Sequence, residues 1–317
     1  MTKYIHGSDV HEDYDALSAL ANFAQAKNAD KIIISGDLNL KGYGKSDIER
    51  FTETRNRDAF RQAVIDQTTR IYTEFKRILD ASGIPYFVIP GNYDTVAIDA
   101  VYGDHNLDHK LLEEDGIKHF GYGGGRQTPA HIANLEDLFS GSPLIARFDD
   151  KELYALLCQH EPTIAVTHQP PHCSLDYTVF QQHWGTPVTR RYLEEAVHAP
   201  KLLLVGHVHE SGPNGNNQKG FKGIDKIKET VIVNSGNLGR FDLIDSRSME
   251  AITDKVLCRG RDPMTVPATD KILDWGTFAE IDTDNDGTVK SVTFYSLKSP
   301  DKKKVDLIKQ IARHELK

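Results

Sequence analysis

The sequence predicts an α/β protein, and three observations support this class. Short, β-branched apolar runs alternate with longer segments whose apolar residues recur at the spacing of an amphipathic helix. The short runs end at Gly, Pro, Asp or Asn, as strands commonly do. The 317 residues are 39% hydrophobic and 26% charged, an ordinary globular composition. Because no linker rich in proline or serine divides the chain, we expect one domain over residues 1–317, with insertions at about 38–57 and 95–148.

The first half of the chain contains three predicted strands and two predicted helices. The strands cover 4–5, 31–35 and 86–89, and the helices cover 15–29 and 58–81. Leu17, Leu20 and Phe23 share one face of the first helix, as burial against a sheet requires. Gly83 and Pro85 end the second helix, because neither residue continues a helix well.

The second half contains five predicted strands and three predicted helices. The strands cover 163–166, 201–205, 230–233, 278–281 and 289–297, and the helices cover 149–159, 187–198 and 301–315. The last two strands flank the turn residues 284–287 and are expected to form a hairpin. The Gly-rich piece 121–125 is predicted to be a flexible loop. The final helix would be basic and amphipathic, and would either pack on the sheet or contact another copy of the chain in a homo-oligomer.

The charge balance and the cysteines restrict the partners and the compartment. With 38 Lys and Arg against 46 Asp and Glu, the net charge is −8, which disfavours binding of long nucleic acid but leaves a local basic groove open. Cys158, Cys173 and Cys258 are odd in number and widely spaced, which indicates neither a disulfide framework nor a Cys-rich zinc site. No apolar stretch resembles a signal core or approaches the ~20 residues of a membrane span. We therefore expect a cytoplasmic protein that does not enter membranes.

Polar residues directly follow five of the predicted strands. They are Asp9 and His11, then Asp37, then Asn92, Tyr93 and Asp94, then His168, and finally His207 and His209. In α/β sheets, ligands bind outside the carboxyl ends of the strands, so these side chains are expected to converge. Oxygen and imidazole donors without a thiolate suit Mn, Fe, Zn or Co, and there are enough of them for two ions. The preceding Gly36, Gly91 and Gly206 would let the backbone approach the ions closely.

The residues at these strand ends form a series of five sequence motifs. D-x-H, G-D, G-N-x-D, a lone His and G-H-x-H occur in that order from Asp9 to His209. Their order and spacing resemble those of the calcineurin-like metallophosphoesterase family. The resemblance implies an α/β fold in four layers, αββα, in which two mixed β-sheets are flanked by helices. It also implies a metal-dependent phosphoric ester hydrolase whose cofactor is two divalent or trivalent metal ions, with Mn and Fe favoured over Zn and Co.

The resemblance assigns a role to each motif residue. Asp9, His11 and His209 would hold one ion, Asn92, His168 and His207 would hold the second, and Asp37 would bridge both. A water or hydroxide between the ions would be the nucleophile, because metal binding lowers its pKa toward ~7. Asp94 would be a carboxylate that orients a ligand.

The chain departs from the family pattern at Tyr93. The family usually has His at this position, where it contacts the phosphate and protonates the leaving oxygen. Members of the family that lack this His still act on phosphodiesters. A phenol with a pKa of ~10 carries no charge and is a poorer acid. His172, four residues after His168, is the best-placed substitute, and His105 is a more distant one. This departure favours diesters slightly over unactivated monoesters.

Other candidate substrate contacts come from loops. Lys41 follows Asp37 closely enough to reach a substrate phosphate, and Arg240 follows another predicted strand; the alternatives are a solvated loop and a structural turn. Tyr177, Phe180 and Trp184 lie between His168 and His207 and would form either core or a wall for a base or aryl group.

The sequence therefore predicts a binuclear metal-dependent phosphoesterase. We expect a phosphodiesterase that hydrolyses nucleotide-like or other small organic phosphodiesters through a metal-bridging hydroxide. The alternatives left open are a phosphomonoesterase or protein phosphatase, a nuclease, and a metal-binding scaffold without activity. Hydrolysis of bis-aryl and mono-aryl phosphates, or of single-stranded nucleic acid, would separate them.

Overall fold

A computed structural model of the chain describes most of its length. The described residues are 1–40, 45–126, 144–178, 182–213, 223–239, 255–258, 262–265, 273–299 and 307–316. Among them, no helix combines the length and the apolar character needed to cross a bilayer.

The first sheet has six strands and joins the two ends of the chain. Its strands are β1 (Thr2–Gly7), β2 (Lys31–Ile34), β3 (Tyr86–Val88), β12 (Leu273–Thr283), β13 (Val289–Ser299) and β14 (Leu307–Glu315). Their order is β14-β13-β12-β1-β2-β3. The pairs β1–β2 and β2–β3 are parallel, whereas β12 runs antiparallel to both β1 and β13. The predicted hairpin at the end of the chain is thereby confirmed.

The second sheet also has six strands. They are β4 (Leu111–Glu114), β5 (Ile117–Tyr122), β6 (Ile164–Thr167), β7 (Leu202–Val205), β8 (Ile224–Ile227) and β9 (Thr230–Asn234), in the order β4-β5-β6-β7-β9-β8. The four central strands are parallel, and the two edge strands are antiparallel to their neighbours. A separate two-stranded sheet pairs β10 (Lys255–Cys258) with β11 (Asp262–Thr265).

Helices cover the outer face of each six-stranded sheet. The helices are α1 (Tyr14–Ala26), α2 (Lys45–Thr54), α3 (Arg57–Ala81), α4 (Ala97–Tyr102), α5 (Asp150–His160) and α6 (Pro187–Glu195), with short 3-10 helices at Gly103–His105 and His209–Ser211. The side chains of α1, α3 and α4 pack on the first sheet, and those of α5 and α6 pack on the second. The predicted four-layer αββα sandwich is therefore confirmed.

Alternation along the strands explains why both faces of each sheet are apolar. In β2, Ile32 and Ile34 face the helices, whereas Ile33 points into the layer between the sheets. In β7, Leu204 enters that same layer and Leu203 faces the helices on the other side. A strand buried on both faces has to be apolar at every position, and this is why these runs are recognisable in the sequence.

Residues 301–306 of the predicted basic helix at 301–315 lie outside the described residues. Over the rest of that range the prediction is wrong, because Leu307–Glu315 form strand β14. Its residues pair antiparallel with β13, and the register shifts by one residue between Phe294 and Tyr295, which leaves Ile311 without a direct partner. Ile308 packs on one core cluster and Ile311 on another. The bulge interrupts strict alternation, so the three-residue spacing of Ile308 and Ile311 imitated a helical period.

Several short elements were missed or assigned wrongly. Gly121, predicted to lie in a flexible loop, belongs to strand β5. The edge strand β4 has the sequence LLEE with both Glu residues exposed, and β8 has the sequence IDKI. Short, charged edge strands carry no apolar run, so their pattern gives little signal. Helix α2 also lies inside the predicted 38–57 insertion.

A buried histidine between the sheets should make the fold sensitive to acid. His119 of β5 bonds through Nε2 to the Tyr4 hydroxyl of β1 at 3.1 Å. Burial, followed by the charge of Lys31, lowers the pKa of His119 to about 4. The unfolded chain therefore takes up a proton near pH 6.5 that the folded protein excludes, so stability is lost as the pH falls below that value.

For chelator-treated protein, we expect this histidine to reduce the free energy of unfolding by about 2 kcal/mol between pH 7 and pH 5. Urea unfolding of the wild type and of His119→Gln at both pH values measures the effect, since glutamine does not titrate and other groups cancel in the comparison. Equal losses in the two proteins would show that His119 does not carry the acid sensitivity.

Candidate metal centre

The parallel strands of the two sheets place their carboxyl ends at one edge of the sandwich. Strands β1, β2 and β3 of the first sheet lead into Asp9, Asp37 and Asn92 respectively, and strands β6 and β7 of the second lead into His168 and His207. All five side chains are buried, and contacts across the interface between the sheets link them.

The turns after β1 and β2 are joined through their backbones. The Asp9 amide donates to the Gly36 carbonyl at 2.9 Å, and the His11 amide donates to the Asp37 carbonyl at the same distance. Asp9, His11, Asp37 and His207 all have positive φ, between 47° and 66°. Non-glycine residues seldom adopt this left-handed conformation, and it aims their side chains into the site.

Two glycines have to be glycine because the side chains of candidate ligands lie against them. Gly36 has φ of +109°, and a Cβ there would be 2.5 Å from His168 Nδ1. A Cβ on Gly91 would overlap the carboxylate and the backbone nitrogen of Asp37. The close approach predicted at these positions is therefore an approach to the ligand side chains themselves.

The first group of donor atoms consists of Asp9, His11 and His209, which lie within reach of a single ion. His209 Nε2 is 2.9 Å from Asp9 Oδ1 and 3.2 Å from His11 Nε2. Two imidazole nitrogens that face each other beside a carboxylate are arranged as converging metal ligands. The structure thus brings together the three residues assigned to the first ion.

The second group is built around Asn92. Its Oδ1 is 3.0 Å from His168 Nε2 and 2.9 Å from His207 Nδ1. His168 Nε2 also lies 3.4 Å from Asp37 Oδ2, and Asp9, Asp37 and His168 can together hold an ion. Asp9 is the residue common to both carboxylate-containing groups, whereas the resemblance assigned the shared position to Asp37.

Charge and burial oppose each other at these ligands. Burial disfavours the imidazolium of His168, but the carboxylates of Asp37 and Asp9 outweigh it and raise its pKa to about 9. Burial, together with the charge of His168, lowers the pKa of His207 to about 3. Burial would raise the pKa of the Asp9 carboxyl, but His209 outweighs it and lowers that pKa. The carboxylates at the centre thus attract positive charge, which a bound cation supplies.

Asp94 fixes the turns that carry two of the ligands. Its carboxylate accepts the amides of Gly91 at 2.8 Å, Asn39 at 2.9 Å and Leu38 at 3.2 Å, as well as the Tyr72 hydroxyl at 3.0 Å. Burial and the nearby charge of Asp37 raise its pKa to about 6. Asp94 thus connects the turn after Asp37 to the turn before Asn92, and its contacts agree with the orienting role given to it.

Tyr93 lies beside the first group of donors. Its ring meets the His11 ring edge to face, with the centroids 5.6 Å apart, and its amide donates to Asp37 Oδ1 at 2.8 Å. Burial, followed by the charges of Asp37 and Asp9, raises the pKa of its hydroxyl. The side chain at this position is therefore neutral.

The other predicted catalytic histidines make their contacts elsewhere. His172 Nδ1 is 3.7 Å from Asp176 Oδ2, and its ring packs edge to face on His183, both within its own loop. His105 stacks on Tyr86 at 4.1 Å, at the opposite end of β3 from Asn92. Among the described contacts, neither histidine meets a candidate metal ligand. Lys41, Arg240 and Phe180 lie outside the described residues.

Sequence reasoning missed two groups at this edge. Asn234 at the end of β9 donates through Nδ2 to the Val208 carbonyl at 3.0 Å, which steadies the turn between His207 and His209. Gly125 and Arg126 follow β5, and Gly125 lies against Asn92 and His207. The position of Gly125 and Arg126 after a parallel strand is the signal that could identify them, but the sequence analysis does not predict β5.

The donor set fits a pair of metal ions. Two carboxylates, one amide oxygen and four imidazoles converge, and the nitrogens of His11 and His209 face each other beside the Asp9 carboxylate. His168 Nδ1 lies 2.7 Å from the Ser35 carbonyl, which leaves its Nε2 directed to the centre. A second partner that fixes the ring in this way is typical of metal-binding histidines.

The chain is similar to known proteins in family and in fold. Residues 2–211 match the family model described as calcineurin-like phosphoesterase. No curated protein matches the chain in sequence. One solved structure has a TM-score of 0.56 at 18% identity and covers 78% of this chain and 96% of that structure, a likeness that shows the fold.

Two further solved structures align more loosely. A dimetal phosphatase from Danio rerio is 10% identical with a TM-score of 0.49, over 97% of this chain and 98% of that one. A protein from Thermus thermophilus is 20% identical with a TM-score of 0.48, over 78% of this chain and 96% of that one.

Proposed function

The chain belongs to the calcineurin-like phosphoesterase family and is a metal-dependent phosphoric ester hydrolase, and we propose that it is a binuclear phosphodiesterase for small organic phosphodiesters. The observation that carries the proposal is the convergence of two donor groups, Asp9 with His11 and His209, and Asn92 with His168 and His207. Oxygen and imidazole donors without thiolate suit Mn, Fe, Zn or Co, and of these Mn and Fe are the ions we propose.

In this proposal the protein residues hold the metal ions and keep the metal-binding side chains in a fixed orientation. When bound, the two ions would stabilise the charge that builds on the phosphate and activate a water molecule. The joined turns after β1 and β2 fix Asp9 and Asp37 at a set separation, and Asp94 prevents the Asn92 turn from shifting. The Ser35 carbonyl accepts from His168 Nδ1 and so presents Nε2 as the donor atom. This preorganisation reduces the rearrangement needed during the reaction.

The surroundings of the centre support a diester with organic groups on both sides of the phosphate. Tyr93 packs beside His11, and the Trp184 indole lies 5.7 Å from the His207 ring. The two aromatic rings offer apolar surface on which aryl, sugar or base substituents of the ester can pack. A neutral Tyr93 cannot pair with the second negative charge of a monoester, and it is a weak acid for an unactivated leaving group.

The test is a substrate panel with metal analysis. Protein reconstituted with Mn is assayed with bis-p-nitrophenyl phosphate and p-nitrophenyl phosphate, and bound metal is counted by elemental analysis. We expect about two ions per chain and a higher kcat/KM for the diester. Preference for the monoester would make the protein a phosphomonoesterase, and two bound ions without hydrolysis of either ester would make it a scaffold.

Tyr93→His is expected to increase monoesterase activity. An imidazolium beside His11 would bring a positive charge and a better proton donor to the leaving oxygen, and general acids contribute about 10²-fold or more when well placed. We expect kcat/KM for phenyl phosphate, whose more basic leaving group gains from protonation, to rise about 10-fold, given imperfect placement. Tyr93→Phe is the control, since it removes the hydroxyl without adding an acid. If the two variants gave the same monoester rate, position 93 would not govern leaving-group protonation.

A further inference from the structure

The segment after β5 crosses the edge of the metal centre. The Gly124 amide donates to the Pro90 carbonyl at 2.9 Å, just before the Asn92 turn. A Cβ on Gly125 would be 3.2 Å from the Asn92 Cβ and 3.6 Å from His207 Cε1. Arg126 is the next residue, so its side chain starts beside a backbone position that contacts two candidate ligands.

The backbone of Arg126 is held in place by the loop that follows β6. Its amide donates to Gln169 Oε1 at 2.5 Å, and Gln169 is the residue after His168. The amide group of Gln169 also donates to the Trp184 carbonyl, and the Trp184 indole lies against His207. The backbone from which the Arg126 side chain extends is thus fixed relative to the centre by residues of the loop that follows β6.

The guanidinium of Arg126 is only loosely engaged. Its Nε forms an ion pair with Asp150 Oδ2 at 3.3 Å, and the two side chains are 44% and 30% exposed. Water screens an ion pair with that exposure, so the pair restrains the side chain weakly. A guanidinium has further N–H groups in a planar fork that matches two phosphate oxygens. Exchange of Asp150 for a phosphate is therefore favourable on charge and on geometry.

We propose that Arg126 binds the non-bridging oxygens of the substrate phosphate at the Asn92 and His207 side of the centre. Position 93, beside the first group of donors, holds a neutral phenol and supplies no positive charge to a phosphate. Arg126 brings a positive charge to the phosphate from a different loop, on the side away from Tyr93. This inference rests on the proposed function, since it requires the phosphate of an ester to occupy the centre.

The experiment measures phosphate binding separately from catalysis. Inorganic phosphate is titrated calorimetrically into Mn-loaded wild type, Arg126→Ala and Arg126→Lys, and metal content is measured on the same samples. We expect the Kd for phosphate to rise about 30-fold in Arg126→Ala and less in Arg126→Lys, which keeps the charge but not the fork. KM for the diester should rise in parallel, while metal content stays that of the wild type.

Arg77→Ala serves as the matched control, because Arg77 is an exposed arginine on α3 that pairs with Glu74. Its phosphate Kd should stay within about twofold of the wild type. A wild-type phosphate Kd in Arg126→Ala with normal metal content would overturn the inference and leave the proposed function intact. Failure of the proposed function appears instead in the wild type, as two bound ions without hydrolysis of either ester. The phosphate titration decides the role of Arg126 in that case as well.

Discussion

Asp37→Ala is expected to lower kcat by about 10⁴-fold and to reduce the metal content from about two ions to about one per chain. The Asp37 carboxylate is buried and faces both His168, at 3.4 Å, and the Tyr93 amide, at 2.8 Å. Its removal deletes one of the two anionic donors at the centre, so the Asp9 carboxylate alone is left to compensate the cation charge. Steady-state kinetics with excess Mn and elemental analysis measure the two effects.

Asp37→Asn is the informative companion variant. Asparagine keeps an oxygen that accepts the Tyr93 amide, so the local backbone is preserved while the charge is lost. We expect it to resemble Asp37→Ala in rate and metal content and to resemble the wild type in thermal unfolding. Full metal content and full rate in both variants would show that Asp37 is not a ligand, and the proposed bridging role would have to be withdrawn.

Gly91→Ala is expected to lose the metal centre and to destabilise the fold by about 3 kcal/mol. The added methyl group would overlap the carboxylate and the backbone nitrogen of Asp37, and neither is the far end of a flexible side chain. The Asp94 carboxylate also ties the Gly91 amide at 2.8 Å, so the backbone cannot retreat without breaking that bond. Urea unfolding and metal analysis measure the result.

Gly83→Ala separates this clash from the general effect of replacing a glycine. Gly83 has φ of +67° with open space around its Cα, so alanine there meets backbone strain of about 1 kcal/mol without a collision. We expect its metal content to equal that of the wild type. If Gly91→Ala bound two ions as tightly as Gly83→Ala does, the inferred clash between an alanine methyl group at position 91 and Asp37 would be wrong.

The central fold and the convergence of the candidate ligands could be predicted from sequence for one physical reason. Strands buried on both faces are apolar at every position, and the residue after each strand leaves that environment abruptly. The change from Ile34 to Asp37, or from Val205 to His207, is therefore visible without any structure. Since parallel strands end at one edge, the order of the motifs already implied a common site.

The rest depended on tertiary contacts that leave little trace in sequence. Strand β14 forms because β13 offers an edge to pair with, and its bulge conceals the alternation. The short separation from His168 predicts that His172 lies at the site, whereas the loop turns it toward Asp176. The strand before Arg126, IKHFGY, mixes polar and apolar residues without a continuous run, so the sequence gives no sign that Arg126 follows a parallel strand.

The left-handed backbone at Asp9, His11, Asp37 and His207 sets stability against activity. Each of these side chains disfavours that conformation by about 1 kcal/mol relative to glycine, so the folded chain tolerates them at a thermodynamic loss. Glycine at one of those positions would remove this backbone strain together with a candidate ligand, so a screen for heat resistance alone does not protect hydrolysis. Screens that aim at a hardier catalyst therefore have to exclude these codons from mutagenesis.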